Sequence, residues 1–77
     1  MSRRRAVGNR IRAARIQAGL TQEAVALRAG MNYGHYNRIE QGHASPLLDT
    51  LFRLADAIDV PLADLVREEN PGRRSEG

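Results

Sequence analysis

The chain has 77 residues, with 12 basic and 9 acidic side chains and a formal net charge of +3. A chain of this length forms one domain with a thin core, because it buries only about 60% of the surface that the unfolded chain exposes. It contains no cysteine, which excludes a disulfide framework and a thiolate metal site. No apolar run approaches the roughly 20 residues that a membrane-spanning helix needs, so we expect a cytoplasmic protein without a membrane segment.

The charges are unevenly distributed along the chain. Residues 1–15 carry six arginines and no acid, residues 16–45 are neutral, and residues 46–77 carry four arginines against seven acids. This asymmetry predicts that one surface contacts a polyanion while the other faces solvent or a partner. A coding bias towards arginine explains the absence of lysine, but it does not explain the separation of the two signs.

Apolar residues recur with helical spacing along almost the whole chain, and no stretch alternates with the period of a strand. Residues 1–6 are predicted to form a flexible basic arm, residues 7–68 a folded domain, and residues 69–77 a disordered tail. Residues that favour helix ends divide the domain into five helices. The first ends at Gly19, the second runs from Thr21 to Gly30, the third from Asn32 to Gly42, the fourth begins at Ser45 and Pro46, and the fifth begins at Pro61.

A short turn containing Gly30 separates the second and third predicted helices. Two short helices joined by such a turn form a helix-turn-helix, whose second helix can enter a major groove about 12 Å wide. A glycine between two helices is by itself weak support for a helix-turn-helix, so the assignment depends on the surrounding residues.

Three sequence motifs before and after this turn give more specific evidence. They are Gly-Leu-Thr-Gln-Glu at residues 19–23, Arg-Ile-Glu-Gln-Gly at residues 38–42, and Leu-x-x-Leu-Ala-x-x-Ile at residues 51–58. With these motifs the chain resembles the lambda-repressor/Cro-like (Xre-type) DNA-binding domain from about residue 7 to residue 66. The resemblance implies a compact five-helix all-α domain that binds operator DNA as a two-fold dimer.

The third helix has an outward face that we predict to read bases. At 100° per residue, Tyr36 and Ile39 point inward, and the opposite arc displays Tyr33, Gly34, Asn37, Arg38 and Gln41. Arginine bonds guanine, asparagine and glutamine bond adenine, and a tyrosine ring packs on a thymine methyl or reaches a phosphate. Tyr33 and Asn37 are the leading candidates, and a phosphate contact is the alternative role of Arg38.

Two residues of this helix depart from the family pattern. A glycine inside a helix, such as Gly34, costs about 1 kcal/mol of stability relative to alanine. Two explanations are open: the backbone approaches DNA closely at this position, or this position no longer carries a base-reading side chain. Tyr36 stands where the family has an aliphatic residue, and its ring is expected to fill the core while its hydroxyl reaches the surface.

A second group of residues is predicted to contact phosphates. The resemblance implies this role for Gln22, at the first turn of the second helix, where free N–H groups favour an anion. It also implies that this glutamine can support a base contact made by another residue. The other candidates are polar or basic side chains at helix ends, in loops and in the arm: Asn32, His35, His43, Ser45, Arg12, Arg3, Arg4 and Arg5. Helix capping is the alternative role of Asn32 and Ser45, and a solubilising leader is the alternative for the arm.

The resemblance also implies an ion pair between Arg15 and Glu40, which joins the first and third helices and orients the latter. Leu47 and Phe52 are apolar where the helical pattern does not require burial, so they are candidates for a homodimer surface. With two histidines and no cysteine, the chain is expected to hold no metal. We expect no other cofactor and no small-molecule ligand either.

These features predict a sequence-specific double-stranded DNA-binding transcriptional regulator, repressor-type, nucleoid-associated, with its third helix in the major groove of an operator. The alternative is an antitoxin or adaptor-type module that uses the same fold to bind a protein partner. An enzyme is not expected, because no set of residues forms a catalytic constellation.

Overall fold

The computed structural model describes residues 2–67, which fold into five α-helices. No residue in that range lies in a β-strand, so the predicted all-α class is confirmed. None of the five helices is long and apolar enough to cross a membrane. In chain order they are α1 (Arg3–Gln17), α2 (Gln22–Ala29), α3 (Tyr33–Glu40), α4 (Leu48–Ile58) and α5 (Leu62–Val66).

Side-chain caps fix the N-termini of the first three helices. In each case a side-chain oxygen accepts a hydrogen bond from the backbone N–H three residues later, at 3.2 Å for Ser2, 3.0 Å for Thr21 and 3.1 Å for Asn32. Such a cap satisfies one of the backbone donors that a helix leaves unpaired, and it contributes about 1 kcal/mol. The N-caps predicted at Thr21 and Asn32 are therefore confirmed.

The turn between α2 and α3 depends on Gly30. Its φ of 69° lies in the left-handed region, which side chains with a Cβ rarely adopt. The N–H groups of Gly30 and Met31 bond back to the carbonyls of Leu27 and Ala26, so the end of α2 is closed. The chain can then start α3 at once, which is the predicted helix-turn-helix connection.

The core lies where the inner faces of the five helices meet. Its largest fully buried side chains are Tyr36, Ile11, Ile39, Leu54, Leu65 and Val25. Full burial of a large apolar side chain contributes about 1.5–3 kcal/mol. Because α3 contributes two of these residues, its inner face is held in the core and its outer face remains in solvent.

α1 crosses the end of α3 at a very short distance. A Cβ built on Gly8 would lie 2.5 Å from the carbonyl oxygens of both Ile39 and Glu40. A Cβ on Gly42 would lie 2.9 Å from the Cα of Arg5. Only glycine fits at these two crossing points, and together they fix the first turns of α1 beside the end of α3.

Two arginines join α2 to α4. Arg28 Nη1 donates to the carbonyl of Ala57 at 3.2 Å, and Arg53 Nη1 donates to the carbonyl of Ala29 at 3.4 Å. Both carbonyls belong to the last turn of a helix, where no intrahelical donor remains and where a cation is favoured. Arg28 of α2 therefore caps the C-terminus of α4, and Arg53 of α4 caps the C-terminus of α2.

The arm predicted at residues 1–6 differs from the structure. Residues 3–6 form the first turn of α1, so the helix begins before the predicted boundary of the domain. The cap at Ser2 and the contact between Arg5 and Gly42 explain the difference, since both hold this turn in place. The tail predicted at residues 69–77 lies outside the described residues.

The predicted start of α4 at Ser45 and Pro46 is wrong. The helix begins at Leu48, and Leu47 before it is extended, with φ −72° and ψ 160° and no side-chain cap. Residues 43–47 must first cross from the end of α3 to α4, and Ala44 packs against the core on the way. This tertiary requirement overrides the local preference for a helix start.

Candidate nucleic-acid interface

A buried carboxylate lies where α1, α2 and α3 meet. Glu40 Oε2 accepts hydrogen bonds from Arg15 Nε at 2.6 Å and from the Tyr36 hydroxyl. Glu40 Oε1 accepts from Arg15 Nη2 at 3.3 Å and from Gln22 Nε2 at 3.0 Å. The Glu40 side chain is 3% exposed and that of Arg15 is 13% exposed. We call Arg15, Gln22, Tyr36 and Glu40 the Glu40 cluster.

The charges of this cluster follow from its hydrogen bonds. Burial alone raises the pKa of the Glu40 carboxyl, but the bonds from Arg15, Tyr36 and Gln22 outweigh burial and hold the pKa below its ordinary value. The bond to Glu40 raises the pKa of Arg15. Burial, followed by the bond to Glu40, raises the pKa of the Tyr36 hydroxyl. At neutral pH the cluster therefore holds an ionised Glu40, a charged Arg15 and a protonated Tyr36.

The ion pair between Arg15 and Glu40 links α1 to α3 directly. Arg15 Nη1 also donates to the carbonyl of Leu20 at 3.0 Å, so the same guanidinium holds the turn before α2. Desolvation offsets much of the attraction within a buried ion pair, so the pair is weak support for net stability. Its geometric effect is to set the position of α3 relative to the two preceding helices.

Tyr36 corrects one expectation from the sequence. Its hydroxyl does not reach the surface, because the whole residue is 0% exposed. The hydroxyl donates to Glu40 one turn later on α3, which satisfies the polar atom inside the core.

Gln22 connects the buried cluster to the outer face of α3. Its Oε1 accepts hydrogen bonds from the Tyr33 hydroxyl at 3.1 Å and from Asn37 Nδ2 at 3.2 Å. The structure thus brings together the two leading candidates for base reading and the predicted phosphate contact of α2. Tyr33 is 45% exposed, so its ring is open to a ligand.

The remaining candidates on α3 lie along the same outer face. Arg38 Nη2 donates to the carbonyl of His43 at 3.2 Å, and Gln41 is the exposed C-cap of the helix. A Cβ on Gly34 would lie 3.1 Å from Asn32 Oδ1, the oxygen that caps α3. A side chain at residue 34 would therefore crowd the cap. This is a third explanation for the glycine, besides a close approach to DNA and the loss of a base-reading position.

Residues of α1 and α3 line a polar cleft of about 770 Å³. Arg5, Asn9 and Arg12 line its α1 side, and Asn37 and Gln41 line its α3 side. The spacing of the three α1 residues is i, i+4, i+7, one face of a helix. Asn9 was not among the predicted contact residues, although its spacing from Arg5 and Arg12 in the sequence already places it on the same face of the helix.

The other predicted contact residues lie around this cleft or apart from it. His43 lines it, whereas Arg3 lines a separate groove between α1 and α5. His35, in the first turn of α3, and Ser45, in the loop after it, are both exposed. Arg4 is exposed in the first turn of α1.

The two candidates for a dimer surface are exposed. Leu47 is 75% and Phe52 50% exposed, and Leu48, which the sequence analysis did not select, is 62% exposed. Among residues 2–67, no group of three or more histidine, aspartate or glutamate side chains is placed to hold a metal ion.

Two short helices across the Gly30 turn, the second with a polar outer face, define a helix-turn-helix protein. The family model described as Helix-turn-helix matches residues 11–65. The chain belongs to this family, in its Xre or lambda-repressor-like form.

Curated relatives are named as regulators of transcription. The chain is 36% identical over 66 residues to the HTH-type transcriptional regulator y4dJ of Sinorhizobium fredii, covering 86% of each. It is 38% identical over 60 residues to the cryptic phage CTXphi transcriptional repressor RstR of Vibrio cholerae. That match covers 78% of this chain and 54% of RstR, so the chain spans about half of the repressor's length.

Solved structures share the fold. The restriction-modification controller protein C.AhdI of Aeromonas hydrophila superposes with a TM-score of 0.78 at 29% identity, over 80% of this chain and 94% of that one. The clp gene regulator ClgR of C. glutamicum superposes with a TM-score of 0.81 at 23% identity, over 84% of each chain. At that identity the second likeness concerns the fold alone.

Proposed function

We propose that the protein is a sequence-specific double-stranded DNA-binding regulator of transcription, of the repressor type, that places α3 in the major groove of an operator. The observation that carries the proposal is the group that Gln22 of α2 forms with Tyr33 and Asn37 on the outer face of α3, beside an arginine-lined face of α1. Amide and hydroxyl groups read base edges, and arginines bind phosphates as well as guanine. The names of the curated relatives support the same assignment.

Each group of residues has a role in this proposal. The base-reading group is Tyr33, Gly34, Asn37, Arg38 and Gln41. Phosphates on either side of the groove are bound by Gln22 and Asn32 at helix N-termini, by His35, His43 and Ser45, and by the α1 residues Arg4, Arg5 and Arg12. Arg3 lines the groove between α1 and α5 instead and is not part of this group. No cofactor or small ligand is needed for this activity, which would take place in the cytoplasm, at the nucleoid.

We further propose that two copies bind an operator together. The exposed side chains of Leu47, Leu48 and Phe52 form an apolar surface at the start of α4 that a second copy would cover. A two-fold dimer places its reading helices in successive major grooves, so the half-sites would lie about 10–10.5 base pairs apart, centre to centre. Sedimentation of the DNA-free protein as a clean monomer at high concentration would argue against a dimer in solution.

The same apolar surface is the observation that favours the second candidate function, an antitoxin or adaptor that binds a protein partner. The two candidates differ in which substitutions abolish activity. A regulator loses its function when Tyr33 and Asn37 are replaced, whereas an adaptor loses it when Leu47 and Phe52 are replaced and keeps it without the outer face of α3.

Selection of bound duplexes from a random pool tests the proposal. The wild-type protein should enrich one motif, and the double variant Tyr33→Ala/Asn37→Ala should not. Gln17→Ala is a suitable control, because Gln17 lines the groove on the opposite side of α1. If the wild-type protein enriches no sequence at low salt, the proposed function is wrong.

A further inference from the structure

The amide of Gln22 lies between Glu40 and two residues on the outer face of α3. Its Nε2 is 3.0 Å from Glu40 Oε1, and its Oε1 is 3.1 Å from the Tyr33 hydroxyl and 3.2 Å from Asn37 Nδ2. An ionised carboxylate accepts hydrogen bonds and donates none. The end of the Gln22 amide that faces Glu40 must therefore be the NH₂ group, which leaves the carbonyl end facing α3.

This orientation passes to the next amide. Because Gln22 Oε1 only accepts, Asn37 must face it with Nδ2, and Asn37 Oδ1 then lies on the branch that points away from Gln22. The second hydrogen of Nδ2 takes no part in the bond to Gln22. Asn37 is therefore left with one acceptor and one donor side by side.

We propose that Glu40 determines which base edge α3 reads, by fixing the orientations of the Gln22 and Asn37 amides in succession. The inference rests on the proposed DNA-binding function. An acceptor beside a donor is complementary to adenine, whose N6 amino group donates and whose N7 accepts. Cytosine N4 satisfies the acceptor alone, whereas guanine O6 and thymine O4 are acceptors that would face Oδ1. The expected order of preference is adenine, then cytosine, with guanine and thymine last.

Glu40 can set this order because its own carboxylate is held in place. Arg15 binds both of its oxygens, through Nε at 2.6 Å and Nη2 at 3.3 Å, and Tyr36 binds Oε2 from within the core. The carboxylate presents an acceptor to Gln22 whichever way it turns, since both of its ends are oxygen. A neutral amide at residue 40 would lack this property, because one of its ends is a donor.

The substitution Glu40→Gln tests this difference. The substituted amide would keep its oxygen where Arg15 Nε and Tyr36 both donate. Its NH₂ would then face Gln22, and the longer bond from Arg15 Nη2 would be lost. Gln22 would turn over to accept, and Asn37 would turn over in response, so that Nδ2 replaces Oδ1 on the side away from Gln22. In a selection from random duplexes, we expect the variant to shift from adenine towards guanine or thymine at one position of each half-site, by about tenfold or more.

A second substitution does not change the buried charge. Gln22→Leu leaves the bonds among Arg15, Tyr36 and Glu40 in place and removes the connection to Asn37. The preference at the same position should then relax towards equal use of the four bases. Gln17→Leu is the matched control, since it makes the same change on the opposite side of α1 and should keep the wild-type preference.

The outcomes separate this inference from the function on which it rests. If the wild-type protein enriches no duplex, the proposed function fails and the inference fails with it. If it enriches a motif and folded Glu40→Gln selects the same base at every position, the function stands and the inference is overturned. If Glu40→Gln does not fold, as judged by circular dichroism, Gln22→Leu decides: a relaxed position supports the inference, and an unchanged motif overturns it.

Discussion

Tyr36 donates its hydroxyl hydrogen bond to Glu40, one turn further along α3, and both residues are buried. The ring of Tyr36 belongs to the apolar core, and its hydroxyl belongs to the polar cluster that joins three helices. One residue therefore couples the packing of α3 to the contacts that α3 makes with α1 and α2. The Tyr36 side chain therefore holds α3 both in the core, through its ring, and against α1 and α2, through its bond to Glu40.

The first prediction concerns this hydroxyl. Tyr36→Phe keeps the ring in the core and removes one donor to a charged acceptor, a hydrogen bond of a kind that contributes about 1.5–3 kcal/mol. We expect the free energy of unfolding, measured by urea denaturation at pH 7, to fall by about that amount. Tyr33→Phe makes the same change on an exposed residue and should alter stability by less than about 0.5 kcal/mol. Equal stabilities for the two variants would contradict the role of the buried hydroxyl.

The second prediction concerns the buried ion pair. Glu40→Ala leaves the Arg15 guanidinium without its carboxylate, and breaking a buried pair in this way costs about 3–5 kcal/mol. Thermal unfolding followed by circular dichroism should show a large decrease in Tm. Asp49→Ala is the control, because its pair with Arg53 is exposed, with the two side chains 81% and 50% exposed, and contributes about 0–1 kcal/mol. Unchanged thermal stability of Glu40→Ala would refute the structural role of the pair.

The third prediction is a dependence of stability on acid. The pKa of Glu40 is lower in the folded protein than its ordinary value of 4.5, so the unfolded chain takes up the proton first as the pH falls. The stabilisation from this group is complete above pH 4.5 and is lost as the pH falls through the lower, folded value. The difference in unfolding free energy between wild type and Glu40→Gln should therefore shrink between pH 5 and pH 3. A difference that is constant over this range would exclude a contribution from Glu40 titration.

The local signals in the sequence predict much of this fold correctly. Thr21 and Asn32 cap α2 and α3 because a cap depends only on residues three positions apart. Helical periodicity likewise predicts that Tyr36 and Ile39 point inward, and the structure buries both. The predicted start of α4 at Ser45 and Pro46 is wrong, and the helix begins at Leu48. The path of the chain between helices depends on tertiary packing and not on the local dipeptide.

The site depends on contacts that periodicity does not contain. Glu40 lies at the border of the outward arc on a helical projection, yet it is buried by residues 18 and 25 positions earlier in the chain. The resemblance to a family implies the second of these contacts, with Arg15. The resemblance implies that Gln22 can support a base contact, but neither the resemblance nor the spacing indicates that the same amide would bond Glu40 on its other side. Such a chain of hydrogen bonds follows only from the three-dimensional arrangement of α2 and α3.

The fourth prediction concerns the crossing of α1 and α3. Gly8→Ala would place a Cβ 2.5 Å from two backbone carbonyl oxygens, which cannot turn aside as a side chain can. The helices must then separate, and overpacking of this kind costs about 1–3 kcal/mol, more than the roughly 1 kcal/mol gained in helix propensity. In Gly34→Ala the nearest atom is the side-chain oxygen of Asn32 at 3.1 Å, so we expect a change of less than about 1 kcal/mol. Urea denaturation of the two variants compares the same substitution in two helices, and a more stable Gly8→Ala would exclude the close crossing.

The fifth prediction follows from the position of Arg12, which is exposed on α1 and lines the cleft beside α3. If Arg12 binds a phosphate, its binding releases counterions, and each neutralised phosphate adds roughly 0.9 to the slope of log affinity against log salt concentration. Titration of the selected duplex at several salt concentrations should show that Arg12→Ala lowers the slope by about that amount and leaves the preferred sequence unchanged. Arg67→Ala removes the same charge beside the groove between α1 and α5, and it should leave the slope as in wild type. A changed sequence preference in Arg12→Ala would instead assign this arginine to base reading, and equal slopes in the two variants would remove the α1 face from the interface.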